Sequence, residues 1–454
     1  MSAANILGSM KQDGSRLILH PADVHGKWTR ARRIVFGVLI AVYVAGPLIP
    51  VGGHPMIQLD VEHRRFFLFG STFNAQDFWM VLLLALSFVF GLLLVTAWRG
   101  RVWCGWACPQ TVFLEGVYRP VERFFEGSPE QRRRLASAPW SVSKVARRVG
   151  KLVAFFVISA AIAHTATALF VGPRELTAMV FEGPAQHLEA FTLTLGFTSV
   201  LLFNFAWFRE QFCVVVCPYG RLQSVLHDKD SVTVAYREAR GEPRGKLGVA
   251  RGDCIDCKRC VAVCPTGIDI RNGLQMECLA CTQCVDACDE MMDKVKKPRG
   301  LIGFASQNEL EGKERKFLRP RVVIYAALML VSLGTLGVSL ATRTGFEANV
   351  FRPRGGMPFV VDGDTVRNAF EVHVTNKNAS PAQFAITLAG APEGSVVVIG
   401  TPALELASLT DAHVPVSISI PRAQLQHGAP GLTLTVSDET NGNQKVLPVG
   451  FLGR

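Results

Sequence analysis

The sequence predicts a polytopic α-helical membrane protein of five spans, with a cysteine-rich domain inserted ahead of the fifth span and a β-sandwich behind it. Three observations predict this architecture. Five long apolar segments punctuate the chain; all twelve cysteines fall between positions 104 and 288, eight of them in two evenly spaced runs; and beyond the last apolar segment, hydrophobic residues alternate with period two. Over 454 residues, hydrophobic types make up 49% and charged types only 19%, against roughly 25% charged in an average soluble chain. That balance excludes a disordered or fibrous chain and an ordinary soluble enzyme.

The apolar segments are 34–51, 78–98, 152–171, 188–208 and 322–341, each 18 to 21 residues long. A helix crossing a hydrocarbon core of roughly 30 Å needs about this length. Core helices of soluble proteins rarely run so far without a charge, as 78–98 and 322–341 both do. The first segment follows a 33-residue polar arm and contains Gly46, Pro47 and Pro50 without a small-residue cleavage site behind it. It therefore reads as a retained span rather than a signal peptide.

The formal net charge is +11, and its placement tells what it is for. Of the 48 Lys and Arg residues, 37 lie in the arm 1–33, the loop 99–151 and the loop 209–321, against 11 in the alternate segments. This is the asymmetry expected when the first set faces the cytoplasm. The basicity reports orientation toward a membrane, not nucleic-acid binding. Five spans then put the tail on the side opposite the N-terminus, the periplasm. The external loop carries Phe66, Phe67, Leu68 and Phe69 beside Arg64 and Arg65, a mix that suits either the membrane interface or packing on the helix ends. Arg132, Arg133 and Arg134 read as a solvated or lipid-headgroup face.

From about residue 349 the chain turns to short alternating stretches: Phe370, Val372, Val374; Phe384, Ile386, Leu388; Val414, Val416, Ile418, Ile420; Leu432, Leu434, Val436. Turn residues such as Asn441-Gly442-Asn443 separate them, which predicts a sandwich of roughly seven strands over 349–454. His373, His413 and His427 lie here without a ligand-spacing signature and stay unassigned.

Cysteines on a cytoplasmic face are kept reduced, so ligation or redox chemistry is their better explanation than structural disulfides. Cys254, Cys257, Cys260 and Cys264, followed by Pro265, reproduce the bacterial ferredoxin spacing C-x2-C-x2-C-x3-C-P, and Cys278, Cys281, Cys284 and Cys288 repeat it. This predicts a two-cluster ferredoxin domain over about 245–300 holding two 4Fe-4S clusters. In such domains the fourth cysteine serves the other cluster. The first cluster should use Cys254, Cys257, Cys260 and Cys288, and the second Cys278, Cys281, Cys284 and Cys264. Zinc sites, built from two separated C-x2-C knuckles, do not need the third cysteine of each run. Asp289 stands where the second run would have its proline, which removes no ligand.

The other four cysteines form an internal repeat, Trp103-Cys104-Gly105-Trp106-Ala107-Cys108-Pro109 and Phe212-Cys213-Val214-Val215-Val216-Cys217-Pro218, each just after a span that runs outside to inside. A continuous helix would put both sulfurs of a C-x3-C pair on one face. The proline instead suits the first turn of a new helix, capped by Cys108 or Cys217 with a lowered thiol pKa. Cys104, Cys108, Cys213 and Cys217 could bind a soft metal such as Cu(I), form redox disulfides, or serve as small buried hydrophobes. His164 and Asn204, polar residues inside spans three and four, are minor candidates for a role along a pathway.

Together these features resemble the cytochrome c oxidase accessory proteins of the CcoG (FixG/RdxA) family. The match runs over nearly the whole chain: the basic arm, Leu59-Asp60 to Phe69-Gly70 leading to Gln76-Asp77, both C-x3-C-P motifs, both cysteine runs and the C-terminal sandwich, which resembles the family's immunoglobulin-like domain. The resemblance implies a multi-pass protein of the bacterial inner membrane with the N-terminus and clusters in the cytoplasm. It implies an oxidoreductase, a cupric reductase making Cu(I) for assembly of a cbb-type haem-copper oxidase. It places Cys104, Cys108, Cys213 and Cys217 in the copper-handling or electron-transfer part. Membrane lipid, copper ions, a copper transporter or chaperone and oxidase assembly factors are the implied partners, with an unnamed cytoplasmic electron donor. A quinol-to-acceptor carrier similar to NapH shares four spans and both motif types, but not the fifth span or the sandwich. A non-catalytic assembly scaffold is the third reading. The expected domains are the arm 1–33, spans and first motif 34–208, the cytoplasmic region 209–321, the fifth span 322–341 and the sandwich 349–454.

Overall fold

The structure is a computed structural model that describes residues 18–61, 64–74, 77–246, 252–353, 355, 357–378, 380–427 and 431–453, without the side chains of 224, 426 and 427. The first 17 residues of the basic arm, Gln76 and the His427 side chain lie outside the described residues. The chain divides into two units, one of 1–50, 55–60 and 81–335, the other of 51–54, 61–80 and 336–454.

Within the described residues, five helices are long and apolar enough to cross a membrane: Lys27–Leu48, Phe78–Arg99, Val142–Val171, Leu188–Phe208 and Pro320–Ala341. They fall on the five apolar segments of the sequence. Their surfaces expose Val38, Leu82, Val153, Leu193 and Leu330, which water would penalise and lipid accepts. Hydroxyl pairs tie neighbouring spans together: Ser87 and Ser332 at 2.8 Å, Thr167 and Thr194 at 3.0 Å, and Tyr118 with Ser159 at 2.8 Å beside the third span. With no hydrophobic drive between helices in lipid, such bonds and close packing hold the bundle.

Two helices begin more than a turn before their apolar segments. Ser141 caps the third, its hydroxyl accepting from the Lys144 N–H. The first starts at Lys27 behind Gly26, which has no side chain to cap it. The cap comes from afar: the Asp286 carboxylate accepts from the N–H groups of Trp28 at 3.3 Å and Thr29 at 2.7 Å, and from the Thr29 hydroxyl at 2.8 Å. A carboxylate belongs at a helix N-terminus, where unpaired N–H groups and the dipole are positive. The arm is thereby fastened to the inserted domain.

That domain is closed by an antiparallel pair, Thr233–Tyr236 with Ile302–Ala305, which brackets the two cysteine runs in sequence. Val234, Tyr236, Ile270, Val285, Met292, Leu301 and Ile302 pack into one core with Cys254, Cys260 and Cys288.

In the arginine-rich loop between spans two and three, Arg133 and Arg134 are exposed as expected, but Arg132 departs from the solvated face. Arg132 is buried, donating to Glu122 at 2.8 Å, and Arg209 reaches the same carboxylate at 2.7 Å. Lys151 completes the network through Glu126 at 2.7 Å. One buried carboxylate demands cations around it, and the loop supplies them.

In the second unit, a five-stranded sheet faces a four-stranded one. The Thr365–Asn376 strand pairs with Asp411–Pro421 on one side and Phe346–Phe351 on the other; Ala382–Ala389 pairs with Leu432–Asp438 in the second sheet. All four alternating stretches read from the sequence are strands, and their apolar residues fill the core between the sheets. The total exceeds the seven strands expected because Val360–Asp362 and Ala403–Leu406 are too short to show a period. A separate hairpin, Arg65–Leu68 with Ser71–Phe73, buries Phe67 and exposes Phe69 at its turn. Asp77 accepts from Arg343 at 2.9 Å and Lys377 at 3.0 Å, a buried pairing that anchors the start of this unit.

Candidate functional site

The two C-x3-C-P motifs fold alike. Cys104 lies on the short helix Val102–Trp106, after which the chain straightens so that Cys108, at φ −63° and ψ 127°, caps Pro109–Phe113. Cys213 lies on the π-turn Phe212–Val216, and Cys217, at φ −66° and ψ 112°, caps Pro218–Leu226. Proline decides both: it excludes the helical conformation one residue earlier and starts the next helix. The continuous helical face is therefore not formed, and the cysteines are N-caps as the proline reading expects.

The four thiols nonetheless converge. Cys213 is an electrostatic neighbour of Cys104, Cys108 and Cys217, and Cys104 of Cys108 and Cys217. Cys104 is buried and the other three half-buried. Burial pushes the Cys104 thiol up to about 11 and Cys213 well above its ordinary value. At Cys108 burial also wins, although the N–H groups of Gln110 and Thr111 at the helix start pull the other way. The expected lowering by the helix end is overridden there.

Three residues that the spacing did not single out complete this pocket. Gln223, fully buried six residues along the helix that Cys217 caps, brings its amide nitrogen within 3.4 Å of the Cys104 sulfur. Arg101 donates to the carbonyls of Gly220 and Met276, joining the first motif to the second and to the segment leading into the second cysteine run. Gly105 lies against that run itself: an added Cβ would sit 2.4 Å from the Leu279 carbonyl oxygen and 3.0 Å from the Cys281 nitrogen. The Arg32 Nε donates to the Gly105 carbonyl at 2.7 Å. A Gln six residues past the cysteine on the same helix was the available signal; the others depend on long-range contact.

The two cysteine runs repeat in conformation as well as spacing. Asp256 and Lys258 in the first, Ala280 and Thr282 in the second, all take left-handed backbone conformations at φ between 50° and 63°. Non-glycine residues hold such values only where the surroundings impose them. Each loop thus curls around a point and then enters a helix, Arg259–Ala262 or Gln283–Lys294. Cys264 is a neighbour of Cys278, Cys281 and Cys284. Cys288 is a neighbour of Cys254, Cys257 and Cys260. The sulfurs group across the runs, in two sets of four, and Cys264, Cys278, Cys281 and Cys284 line one cavity with Ile268, Ile270 and Leu279, with Cys260 of the other set at its edge. Four thiols around an apolar hollow fit a 4Fe-4S cube.

His164 and Asn204 lie apart from this centre. The His164 Nδ1 bonds the Ala160 carbonyl of its own helix at 2.8 Å, and Asn204 exchanges bonds with Gln110. Asn204 reaches toward the centre only through Gln110, which lies on the helix that Cys108 caps.

Comparison with known proteins agrees with this arrangement. Residues 208–248 and 244–307 match a family described as "4Fe-4S dicluster domain", residues 81–127 one described as "4Fe-4S binding domain", and residues 336–453 an "IG-like fold at C-terminal of FixG". The nitrogen fixation protein FixG of Rhizobium meliloti is 31% identical over 505 aligned positions, covering 99% of this chain and 95% of its own. Proteins RdxB and RdxA of Cereibacter sphaeroides are each 35% identical, covering 84% and 83% of this chain and the same shares of their own.

Proposed function

The chain belongs to the FixG/RdxA family of multi-pass membrane iron-sulfur oxidoreductases, and on that premise we propose that it reduces Cu(II) to Cu(I) for assembly of a cbb-type cytochrome oxidase. The observation that carries this reading is the shared pocket of Cys104, Cys108, Cys213 and Cys217, packed through Gly105 and Trp106 onto the second cysteine run. Cys254, Cys257, Cys260 and Cys288 would hold one 4Fe-4S cluster and Cys264, Cys278, Cys281 and Cys284 the other. When bound, these clusters supply electrons singly, the stoichiometry that Cu(II) plus one electron giving Cu(I) requires.

The thiol pocket does the rest. Soft sulfur ligands favour Cu(I), whereas Cu(II) prefers nitrogen and oxygen in tetragonal geometry, so ligand softness drives the reduction forward. Without metal, the Cys104 thiol is protonated at neutral pH, and a copper ion that binds there displaces the proton. The close approach of Gly105 to the Leu279 carbonyl brings the backbone of the pocket against that of the cysteine run. Gln223 holds Cys104 in place. In this account the clusters and the N-terminus face the cytoplasm, the sandwich faces the periplasm, and a copper transporter or chaperone of the bacterial inner membrane collects Cu(I). The test is cupric reductase turnover of the cluster-loaded protein beside a variant with all four C-x3-C-P cysteines changed to Ser. The reading requires the variant to lose turnover while keeping its iron; equal turnover excludes the pocket as the copper site.

A further inference from the structure

The outer face of the sandwich carries a second group of metal-ligating side chains. Along Thr365–Asn376 the inward positions are Phe370, Val372 and Val374, so Glu371 and His373 point outward; along Asp411–Pro421, Val414 and Val416 point inward, so Asp411 and His413 point outward. The strand register sets His373 directly opposite His413, with Asp411 one position along the same face and Glu371 diagonal to His413. A core that is buried on one face fixes this register, because a slip of one residue would turn every apolar side chain outward.

The side chains gather around the Asp411 carboxylate, and a turn of one imidazole about its χ angles aims both rings at a shared ion. His373 Nε2 is 2.9 Å from Asp411 Oδ2, and His413 Nε2 is 3.9 Å from the same oxygen. The two imidazoles stack at 4.2 Å between centroids and 12° between planes. One ligand atom from each of His373, Asp411 and His413 lies within 4.8 Å of the others. Two ligand atoms that each stand roughly 2.0–2.1 Å from one ion are separated by about 2.9 Å at a right angle and about 4.1 Å when opposite. The 2.9 Å spacing matches the right-angle value, and the 3.9 Å spacing lies between the two, nearer the opposite one. The His413 Nδ1 faces Glu371 at 3.0 Å. That bond places the ring proton on Nδ1 and leaves Nε2 free to ligate, the outer-shell arrangement common to metal-bound histidine.

We propose that His373, His413 and Asp411, with Glu371 orienting His413, form a binding site for a divalent transition-metal ion, best suited to Cu(II). Two imidazoles and a carboxylate are borderline-to-hard donors, suited to Cu(II) rather than Cu(I), and for any such set Cu(II) stands at the top of the affinity order of divalent ions. The Asp411 and His413 side chains are about half exposed, at 53% and 51%, which gives the ion a way in and leaves positions for water. The strand Val396–Ile399 pairs with Asp411–Pro421 only from Val416 to Ser419, so it leaves the Asp411–His413 end uncovered. The ion takes the place of the proton between His373 Nε2 and Asp411 and leaves a neutral-His, ionised-carboxylate site. This site is independent of the thiol pocket: it uses no cysteine and needs no reduction.

The test uses the full-length chain in detergent, cluster-loaded and oxidised, with Cys104, Cys108, Cys213 and Cys217 changed to Ser so that no C-x3-C-P thiol competes. Cu(II) is titrated and its electron spin echo modulation recorded for imidazole nitrogen. One Cu(II) per chain with two imidazoles is expected. His373→Gln and His413→Gln should each leave one imidazole and weaken binding at least about 10-fold, the loss that even outer-shell changes reach; the double variant should show none. In the unsubstituted chain, Cu(II) should shield His373 and His413 from diethylpyrocarbonate, read by mass spectrometry, a measurement that needs no variant to fold. Imidazole-bound Cu(II) persisting in the double variant, or equal modification of both histidines with and without Cu(II), would overturn the site.

Discussion

The indole N–H of Trp106 donates to the carbonyl of Ala280 at 3.3 Å. One residue stands between the cysteines of the first C-x3-C-P motif and the other between the cysteines of the second ferredoxin run, 174 positions away. The bond joins a cysteine run suited to a 4Fe-4S cluster to the pocket proposed above for copper, and Gly105 beside it brings the two backbones into direct contact.

Gly105→Ala should separate those backbones. Its Cβ would meet the Leu279 oxygen at 2.4 Å, and overpacking of this kind costs about 1–3 kcal/mol. A lower thermal midpoint and slower reoxidation of the reduced protein by Cu(II) are expected. Gly196→Ala, in the fourth span with nothing within 4 Å of the new methyl, should change neither.

The crossed grouping of sulfurs makes a prediction about iron. Cys264→Ser should damage the cluster held mainly by Cys278, Cys281 and Cys284, and Cys288→Ser the one held mainly by Cys254, Cys257 and Cys260. Low-temperature EPR of the reduced variants, compared with Cys281→Ser and Cys257→Ser, checks this. Cys264→Ser should resemble Cys281→Ser; a spectrum like that of Cys257→Ser would mean that each run serves its own cluster.

Acid should loosen the collar around Glu122. Burial opposes ionisation of this carboxyl, but Arg209, Lys151 and Arg132 outweigh it and hold the group down at about 2. His20 is held down to about 4, by burial first and by Arg132 next. Both groups take up protons more readily when unfolded. Their contributions are therefore present at neutral pH; that of His20 is lost as pH falls from 6.5 toward 4, and that of Glu122 as it falls from 4.5 toward 2. The thermal midpoint should decline over the first window. Glu122→Gln, which leaves Arg209 and Arg132 buried without their anion, should cost about 3–5 kcal/mol at neutral pH.

How much of this was legible in the sequence follows from the range of the forces involved. The spans are visible because 20 apolar residues in a row have one physical use, and the cluster cysteines because a metal cube sets local spacing. The strands at 370–374 and 414–420 show because burial on one face imposes period two. Gly105 against Leu279, Arg132 against Glu122 and His373 opposite His413 do not show, because each is a contact between distant segments that only packing or register determines. The Cys108 thiol illustrates a competition: its place at a helix start was readable from Pro109, but the burial that overrides the dipole was not.

The proposed orientation, with the cysteine runs in the cytoplasm, rests on the 37 basic residues on one set of alternating segments. A phosphatase fused after Arg454 should be active and one fused near Lys313 inactive, as read in colonies of cells expressing each fusion. The reverse pattern would put the cysteine runs in the periplasm and remove the cytoplasmic electron supply.

The central claim is that the reducing electron reaches copper at the thiol pocket. Its most direct measurement is a single turnover: chemically reduced protein, freed of excess reductant, is mixed rapidly with Cu(II) while visible absorbance follows reoxidation and a Cu(I)-specific chelator counts product. The account predicts one Cu(I) for each electron lost by the parent, and loss of the fast phase when Cys104, Cys108, Cys213 and Cys217 are all Ser and the iron content is unchanged. Reoxidation at the parent rate in that variant would contradict it.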